Sequence, residues 1–391
     1  MSIRILTAGE SHGPALVVTV EGLPAGVPVV PERIDRDLVR RMAGYGRGGR
    51  MKIERDAVEI LGGVRFGETL GSPVAMVVRN RDFANWTETM EPTASRPAGD
   101  AARALTRPRP GHADLAGALK YGTHDARDVL ERASARETAA RVAAGALMRS
   151  LLTEARVEVT SHTVSVGNAV APALGEESFD ALLALPDDAP MRTVDSDAQA
   201  AMIGAVDAAR KSRDSVGGIF EVLVRGIPPG LGSHVHWDRK LDGRLAGAMM
   251  SIQAVKAVSV GEGIAGASRR GSEQHDEIFY DGSERRFVRK TNRAGGIEGG
   301  ISNGEMIRVS GYFKPLATLP QPLASVDLVS KEAFEAQRER TDTVPIVAAG
   351  VVGEAMACLV VADEMLRKFG GDSVTEMLRN LESYRAALRD Y

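Results

Sequence analysis

Two histidines lie in short glycine-bearing segments whose residue types suit proton transfer. His12 lies in Gly-Glu-Ser-His-Gly at 9–13 and His112 in Arg-Pro-Gly-His-Ala-Asp at 109–114, in a chain of 391 residues with only seven histidines. An imidazole titrates near neutral pH, so one held in a tight turn is a candidate acid or base. The alternative is that each histidine hydrogen-bonds its own loop, and either motif alone leaves both interpretations open.

Positive charge is concentrated in a glycine-rich segment at 40–52, which reads Arg-Arg-Met-Ala-Gly-Tyr-Gly-Arg-Gly-Gly-Arg-Met-Lys. Guanidinium groups bind phosphate and carboxylate bidentately, and glycines let the backbone approach a ligand closely. A solvated basic loop and an RNA contact are the alternatives. RNA-binding segments of this kind are long and repetitive, whereas this one is short, so it favours a small polyanionic ligand.

A third segment, Arg-Ala-Ser-Ala-Arg-Glu-Thr at 132–138, precedes a helical pattern. Ser134 and Glu137 have the spacing of a capping box. Free N–H groups at a helix N-terminus also attract anions. Capping explains those two residues but not Arg132 and Arg136, so we predict a capped helix start that also contributes to an anion site.

Three further segments could contact a ligand but have simpler interpretations. The turn at 211–218 is typical of a surface connection. Residues 295–304 are rich in glycine and are followed by Lys314, which favours equally a backbone packed on a flat ligand and a flexible surface loop. Asp342 precedes a helical pattern with Pro345 in its first turn, so its simpler role is the helix N-cap.

Other patterns exclude common kinds of site. Residues 261–266 match G-x-G-x-x-G, but the stretch that follows is polar and a poor helix former, so we reject a dinucleotide-binding fold. His234 and His236 have no partner at a metal-ligand spacing. Cys358 is the only cysteine, which rules out an intrachain disulfide and a cysteine-based zinc site. We expect no bound metal.

Composition bounds the class of protein. The chain is 43% hydrophobic and 26% charged, with a formal net charge of −3. These values indicate a globular protein and give no global sign of nucleic-acid or membrane binding. The N-terminus lacks a signal-peptide pattern, and the apolar tract at 344–362 is predicted to be a buried helix. We expect a cytoplasmic location.

Strand and helix patterns alternate without a regular βαβ repeat. Strands are predicted at 15–20, 57–60, 74–78, 157–166, 219–224 and 306–309. Helices are predicted at 32–42, 138–152, 197–211 and 344–369, with a final one capped by Ser373. This mixture predicts an α+β fold in which helices cover antiparallel sheet. No linker divides the chain, so we predict a single domain over 1–391 with long functional loops. The residues alone indicate an enzyme for a small phosphorylated polyanion, with two histidines and one carboxylate for proton transfer.

Taken together, the segments resemble the chorismate synthase family over nearly the whole chain, from Gly9 to about Gly350. The resemblance rests on five motifs in order: residues 9–13, 109–114 and 134–138, then Arg-Asp-Ser at 213–215 and Ala-Gly-Gly-Ile-Glu-Gly-Gly-Ile-Ser at 294–302. Two positions depart from the usual family pattern. Ala133 stands where many members have serine, and Thr341 stands where others have histidine.

The resemblance implies a fold, a reaction and a cofactor. The fold would be a β-α-β sandwich of largely antiparallel sheets with covering helices, assembled as a homotetramer. The reaction would be the 1,4-anti elimination of phosphate from 5-enolpyruvylshikimate 3-phosphate, which gives chorismate in the last step of the shikimate pathway. Such a carbon–oxygen lyase requires reduced FMN although no net redox change occurs. Whether NADPH or an external reductant reduces the flavin stays open.

The resemblance also assigns roles to residues. His12 would protonate the leaving phosphate with Ser11 and Ser134 beside it, His112 would protonate reduced flavin or stabilise its anion, and Asp342 would assist removal of the ring proton through flavin N5. The substrate- or NADP-binding residues would be Arg41, Arg47, Arg109 and Arg136. The flavin-binding residues would be Arg132, Ala133, Ser134, Gln253, Ala254, Gly299, Lys314, Pro315, Leu316, Ala317, Thr318 and Arg340.

Two other functions are compatible with parts of the pattern. One is a lyase or phosphatase that acts on a phosphorylated acid without flavin. The other is an RNA-binding protein that uses the loop at 40–52, which the near-neutral charge balance disfavours. Dependence of the activity on flavin separates the first from the predicted reaction, and salt-dependent RNA retention would reveal the second.

Overall fold

A computed structural model describes residues 2–48, 56–93, 104–339 and 341–391. The strands in chain order, β1 to β18, are Arg4–Ala8, Ala15–Glu21, Ala25–Pro28, Val58–Gly62, Val64–Arg65, Glu68–Leu70, Val74–Arg79, Glu158–Val166, Ala169–Val170, Gly218–Arg225, Val255–Val260, Ile278–Asp281, Arg286–Arg289, Ile297–Glu298, Ile301–Ser302, Ile307–Phe313, Ala324–Val326 and Ala333–Glu335. The α-helices, α1 to α11, are Pro31–Met42, Asp114–Tyr121, Arg127–Ala133, Thr138–Glu154, Phe179–Leu183, Ser196–Lys211, Leu241–Met250, Gly263–Gly266, Gly271–Gln274, Ile346–Phe369 and Val374–Arg389.

Two antiparallel sheets face each other across a layer of helices. One sheet has the strand order β1-β2-β7-β4, and the other has the order β11-β16-β10-β8-β9. Helix α4 packs on β2 and β7 of the first sheet, α10 packs on β8 and β10 of the second, and the two helices pack on each other. The predicted α+β sandwich is therefore confirmed, with the helices between the sheets as well as around them.

Along the strands of each sheet, successive side chains alternate between the face that packs on the helices and the opposite face. In β2, the side chains of Leu16, Val18 and Val20 are buried while the residues between them are more exposed. In β10, Phe220 and Val222 point to α10, and Glu221 points the other way into a polar cluster. One continuous cluster of buried apolar side chains includes residues from both sheets and from α1, α4, α7 and α10, which supports the single domain proposed from the sequence.

The two central helices approach closely because of a glycine. A Cβ atom on Gly145 of α4 would lie 2.4 Å from the Cβ of Ala355 in α10. Helix α10 is long and apolar enough to cross a membrane by composition, but 94% of its most apolar window is buried inside the fold. The predicted buried helix is confirmed, and core packing accounts for its composition.

The helix starts differ from prediction in two places. Helix α10 begins at Ile346 after Pro345 with no side-chain cap, so the interpretation of Asp342 as its N-cap is wrong. At the start of α4, Ser134 accepts a hydrogen bond from the Arg136 amide in a 3-10 turn, while Glu137 binds Gln253 and Arg141. The capping box is therefore half formed, because Glu137 is used for tertiary contacts.

Rejection of the dinucleotide-binding motif is confirmed. Strand β11 ends at Val260, just before Gly261, and it pairs antiparallel with β16. The helix that follows, α8, has only four residues. A dinucleotide site requires a parallel strand followed by a longer helix.

Candidate active site

His12 lies in a turn that begins at Gly9, where the backbone conformation and the close packing permit only glycine. Gly9 has φ +107°, and a Cβ there would lie 2.3 Å from the carbonyl oxygen of Ala15. Asn80 donates to the carbonyl oxygens of Ser11 and Gly13 at 2.7 and 2.9 Å. The backbone of the turn is therefore held against β2 and by the residue that follows β7.

A carboxylate that the sequence did not reveal holds the His12 ring. Glu131 in α3 lies with its oxygens 2.9 and 3.1 Å from His12 Nδ1. Burial alone would raise the pKa of Glu131, but hydrogen bonds to His12 and the charge of Arg127 outweigh it and hold that pKa below its usual value. The indole of Trp86 lies on the His12 ring with 3.9 Å between ring centroids. Glu131 immediately precedes the 132–138 motif, which is the only sequence signal for it.

The serines and two of the arginines predicted for the site meet at the start of α4. The Ser134 hydroxyl donates to that of Ser11 at 3.2 Å. The Arg136 guanidinium binds Asp56 bidentately at 2.6 and 2.8 Å. Arg41 Nη1 lies 3.7 Å from the same carboxylate. Asp56 is a second carboxylate that sequence reasoning missed, because nothing in its spacing marks it.

Arg41 is oriented by the same helix start. Its Nε donates to the Thr138 hydroxyl and its Nη2 to the carbonyl oxygen of Ala135, both at 2.9 Å. Its neighbour Arg40 points elsewhere and binds the fully buried Glu354 at 2.7 Å. The interpretation of Arg40 as part of the ligand-binding cluster is therefore wrong, since successive helical residues face different directions.

Asp342 joins the glycine-rich loop of the first segment. Its carboxylate lies 2.8 Å from Arg47 and accepts the Gly48 amide at 2.6 Å. A Cβ on Gly48 would lie 3.2 Å from Asp342 Oδ1, so glycine permits this approach. The neighbouring site residue Arg340 and the loop from 49 to 52 lie outside the described residues.

The second histidine has a carboxylate partner two residues along the chain. His112 Nδ1 lies 2.5 Å from Asp114 Oδ1. Arg109 Nε binds Asp114 Oδ2 at 2.8 Å, and Arg109 Nη1 donates to Thr318 at 2.9 Å. Burial opposes ionisation of Asp114, yet hydrogen bonds to His112 and Arg109 lower its pKa well below the usual range. An ionised carboxylate only accepts hydrogen bonds, so the Asp114 contact favours the tautomer with the proton on Nδ1, although Arg109 Nη2 also lies 3.0 Å from that nitrogen.

A cavity of about 680 Å³ opens beside this second histidine. Its walls are mainly apolar, with Leu115 and Leu119 from α2 on one side and Val326 from β17 on the other. Arg109 and His112 provide its polar edge. The volume falls within the range of cofactor and small-molecule sites.

Most of the segments predicted to hold flavin are in contact with one another. Gln253 donates to Glu137 at 2.8 Å, and Ala254, in the left-handed region with φ +68°, accepts the Lys314 amide at 2.9 Å. A Cβ on Gly111 would lie 3.8 Å from both Lys314 Nζ and the Cβ of Ala317. The segments 109–114, 132–138, 253–254 and 314–318 therefore form one surface.

Two features of this surface suit a ligand. Gln253 Oε1 is buried and has no hydrogen-bond partner among the described residues. Burial, helped by the charge of Lys256, lowers the pKa of Lys314, which indicates an ammonium partly removed from water. A buried acceptor and a desolvated cation are both stabilised when a ligand supplies the missing partner.

The other residues that were predicted to bind flavin have different surroundings in the structure. Pro315 and Leu316 belong to the surface just described, and the Leu316 carbonyl accepts the Ser215 hydroxyl at 2.8 Å. Arg132 donates to the carbonyl oxygens of Gly9 and Thr7 and so ties α3 to the His12 turn, with Ala133 at the end of that helix. Gly299 lies in the turn between β14 and β15, and no described residue comes within 4 Å of where its Cβ would be.

No metal centre is evident in the described part of the chain, where no group of three or more candidate ligands lies together. His236 instead binds Asp238 at 2.7 Å on the surface.

Comparisons of the sequence and of the structure with known proteins all indicate the same family. A family model described as chorismate synthase matches residues 3–366. A protein named chorismate synthase from Desulforudis audaxviator is 56% identical over 387 residues, covering 99% of this chain and 98% of that protein. One of the same name from Solibacter usitatus is 52% identical over 391 residues, covering 100% of both. A crystal structure of chorismate synthase has a TM-score of 0.77 at 38% identity and covers 100% of this chain and 99% of that one.

Proposed function

The chain belongs to the chorismate synthase family and catalyses the last step of the shikimate pathway, and we propose that it does so with reduced FMN and the two histidine sites described above. It is a lyase that eliminates phosphate from 5-enolpyruvylshikimate 3-phosphate to give chorismate. The family needs reduced flavin.

One observation carries the proposal: acid–base groups and cations far apart in sequence lie on neighbouring parts of one site. His12 is linked to the start of α4 through Ser11 and Ser134, and Arg41 and Arg136 converge there on Asp56. A phosphate monoester with two carboxylates needs such a set of cations, and the departing phosphate needs a proton.

His12 is the group that we assign to the leaving phosphate. A phosphate monoester dianion departs as a strongly basic trianion unless an oxygen is protonated as the C–O bond breaks. Because Nδ1 donates to Glu131, the proton for transfer is on Nε2. We propose that Nε2 gives this proton to the phosphate oxygen that takes the bonding electron pair.

The arginines neutralise substrate charge and are held in place before substrate arrives. Arg41 and Arg136 share Asp56, Arg47 is held by Asp342, and Arg109 is held by Asp114. A fixed guanidinium loses little conformational entropy when an anion binds. Asp342 is the carboxylate that we assign to removal of the ring proton.

The residues fit a flavin at the surface formed by 109–114, 132–138, 253–254 and 314–318. Gln253 Oε1 offers an acceptor without a partner among the described residues, and Lys314 offers a cation for an anionic group. When bound, reduced FMN supplies electron density that weakens the allylic C–O bond. The contact of His112 Nδ1 with Asp114 holds the ring, and Nε2 would be the nitrogen that serves the cofactor.

The outer face of the first sheet carries exposed apolar side chains. Exposed Leu6, Val17 and Leu61 lie on β1, β2 and β4, outside the helix layer, which supports a homo-oligomer, and we propose a homotetramer. We propose a cytoplasmic enzyme without a nucleic-acid or membrane partner, in keeping with a net charge of −3. NADPH is one proposed source of flavin reduction, and an external reductant is the other.

A comparison of flavins tests the identity of the cofactor. Under anaerobic conditions with dithionite, we expect reduced FMN to support chorismate formation at a flavin concentration at least about ten-fold lower than reduced riboflavin, because riboflavin has no phosphate for Lys314 to bind. Lys314→Met should reduce this preference. Equal half-saturation by the two flavins would reject the phosphate contact. In the same apparatus, oxidised FMN with NADPH and no other reductant shows whether the enzyme reduces its own flavin.

A further inference from the structure

A single carboxylate holds both the ring and the backbone of His12. Glu131 Oε1 lies 2.9 Å from His12 Nδ1, and Oε2 accepts the His12 amide at 2.8 Å. The carbonyl oxygen of Glu131 also accepts the Ser11 amide at 2.9 Å. One residue of α3 thus holds the imidazole through Nδ1 and the backbone of the turn through the amides of Ser11 and His12.

The charge on this carboxylate decides which nitrogen carries a proton. Glu131 is only 3% exposed and is ionised at neutral pH, with Arg127 3.1 Å from Oε1. An ionised carboxylate only accepts hydrogen bonds, so Nδ1 must be the donor. The exchangeable proton is then on Nε2, on the opposite side of the ring.

The face of the ring is covered by Trp86, whose indole N–H donates to Asp82 at 3.1 Å. Arg127 lies 5.1 Å from the centre of the same indole. Charged groups among the described residues around His12 come from α3, from the 3-10 turn that precedes Trp86, and from the His12 turn itself: Arg127, Glu131, Arg132, Asp82 and Glu10. Of these groups, Glu131 lies within hydrogen-bond distance of the imidazole.

We propose that Glu131 is a positioning residue for the reaction, which fixes the His12 tautomer and stabilises the charged imidazole until Nε2 releases its proton. This inference rests on the proposed role of His12 as the acid. The proton on Nε2 passes to the phosphate oxygen, the C–O electron pair stays on that oxygen, and the imidazole becomes neutral and later recovers a proton from solvent. Glu131 stays ionised and touches no reacting atom, as an orienting carboxylate does.

Trp86 provides a direct readout of the His12 charge. The chain has two tryptophans, and the other, Trp237, is on the surface. In a Trp237→Phe background, emission comes from Trp86 alone, and a protonated imidazole stacked on the indole quenches it. Titration of the full chain with pH should give one main transition, which His12→Ala abolishes.

Glu131→Gln keeps the shape of the side chain but removes its charge. We expect the midpoint of the Trp86 fluorescence titration to move to lower pH, because the neutral amide no longer stabilises the charged ring. We also expect kcat to fall about 10²-fold with KM for substrate changed less than about two-fold. The matched control is Asp238→Asn, which removes the carboxylate beside the exposed His236 and should change neither the midpoint nor kcat.

An unchanged midpoint in Glu131→Gln would overturn the proposal, and so would a shifted midpoint with unchanged kcat. Arg127→Gln gives a second test if Glu131→Gln does not fold. Because Arg127 competes with His12 for the Glu131 carboxylate, its loss should raise the pH midpoint of the Trp86 fluorescence titration. A midpoint that does not rise would contradict the proposal. If His12→Ala retains activity, the role of His12 as the acid fails, while the fluorescence midpoint still reports whether Glu131 controls the charge of the ring.

Discussion

The same local arrangement occurs at both histidines. In each, Nδ1 lies against a carboxylate whose pKa is held low, so Nε2 is the nitrogen that can exchange a proton. The two carboxylates differ in origin. Asp114 is two residues from His112, whereas Glu131 is 119 residues from His12. Each pair fixes one tautomer, which general acid catalysis requires.

Replacement of either histidine tests this arrangement. We expect His12→Ala and His112→Ala each to lower kcat by about 10²–10⁴-fold, the contribution of one acid–base group. Reduced FMN should still bind, as measured by anaerobic difference spectra. His236→Ala, on the surface, is the control and should behave as the wild type. Turnover within a factor of about three of the wild type in one variant would remove that histidine from the mechanism.

The sequence was informative about these residues to different degrees. Short-range pairs such as His112 and Asp114 are visible within one motif. Glu131 and Asp56 are not, because their partners are brought to them by folding, and no spacing rule connects His12 to α3 or Arg136 to residue 56. Trp86 was missed for the same reason.

At the scale of elements, the contact between α4 and α10 positions the site. Helix α4 begins where Ser134 and Arg136 lie, and α10 begins four residues after Asp342. Gly145 lets these helices approach closely enough for both ends to face the same region. A larger residue would have to displace the backbone of Ala355.

A pair of glycine substitutions tests this contact. Gly145→Ala should destabilise the protein by about 1–3 kcal/mol, because the added Cβ would overlap Ala355. Gly204→Ala, in the middle of α6 with no atom within 4 Å of its new Cβ, should stabilise it by about 0.4–1 kcal/mol.

Urea unfolding followed by circular dichroism measures both changes. If the two substitutions changed the free energy of unfolding by the same amount, helix propensity alone, and not the contact between α4 and α10, would determine the change.

Long periodic elements were predictable, and helix starts were not. The strands at 15–20 and 219–224 and the helix at 197–211 were found within two residues of their observed bounds. The start of α10 was misassigned because Asp342 before a proline has the local pattern of a cap. In the fold, its carboxylate instead binds Arg47 and the Gly48 amide, and local propensity contains no information about that distant loop.

At the scale of the whole molecule, several buried carboxylates are stabilised in the ionised form. Glu354 in α10 is surrounded by Arg40, Arg149 and Arg192, and Asp363 binds the Ile3 amide and Arg244. Burial opposes their ionisation, but the partners outweigh it and lower both pKa values. These ion pairs lie in the helix layer and are sensitive to loss of one partner.

Lowered carboxylate pKa values predict sensitivity to acid. A group whose pKa is lower in the folded state stabilises the fold above its unfolded pKa, and this stabilisation is lost as pH falls through the folded pKa. We therefore expect the Tm to decline steadily below about pH 4.5, whereas between pH 5 and 7 the stabilisation by these groups is complete and does not vary with pH.

Asp363→Asn should lower the Tm at pH 7 and make its decline with acid shallower, because one titrating group is gone. Calorimetry from pH 3 to 7 measures both effects. A parallel displacement of the whole curve would show that Asp363 does not contribute to the acid sensitivity.

The most direct test of the whole account is an anaerobic assay of the purified protein with 5-enolpyruvylshikimate 3-phosphate, with and without chemically reduced FMN, in which chorismate and phosphate are followed together. We expect equimolar chorismate and phosphate only when reduced FMN is present, with the flavin still reduced at the end. Equal formation of chorismate without flavin, or phosphate release without chorismate, would contradict flavin-dependent elimination at this site.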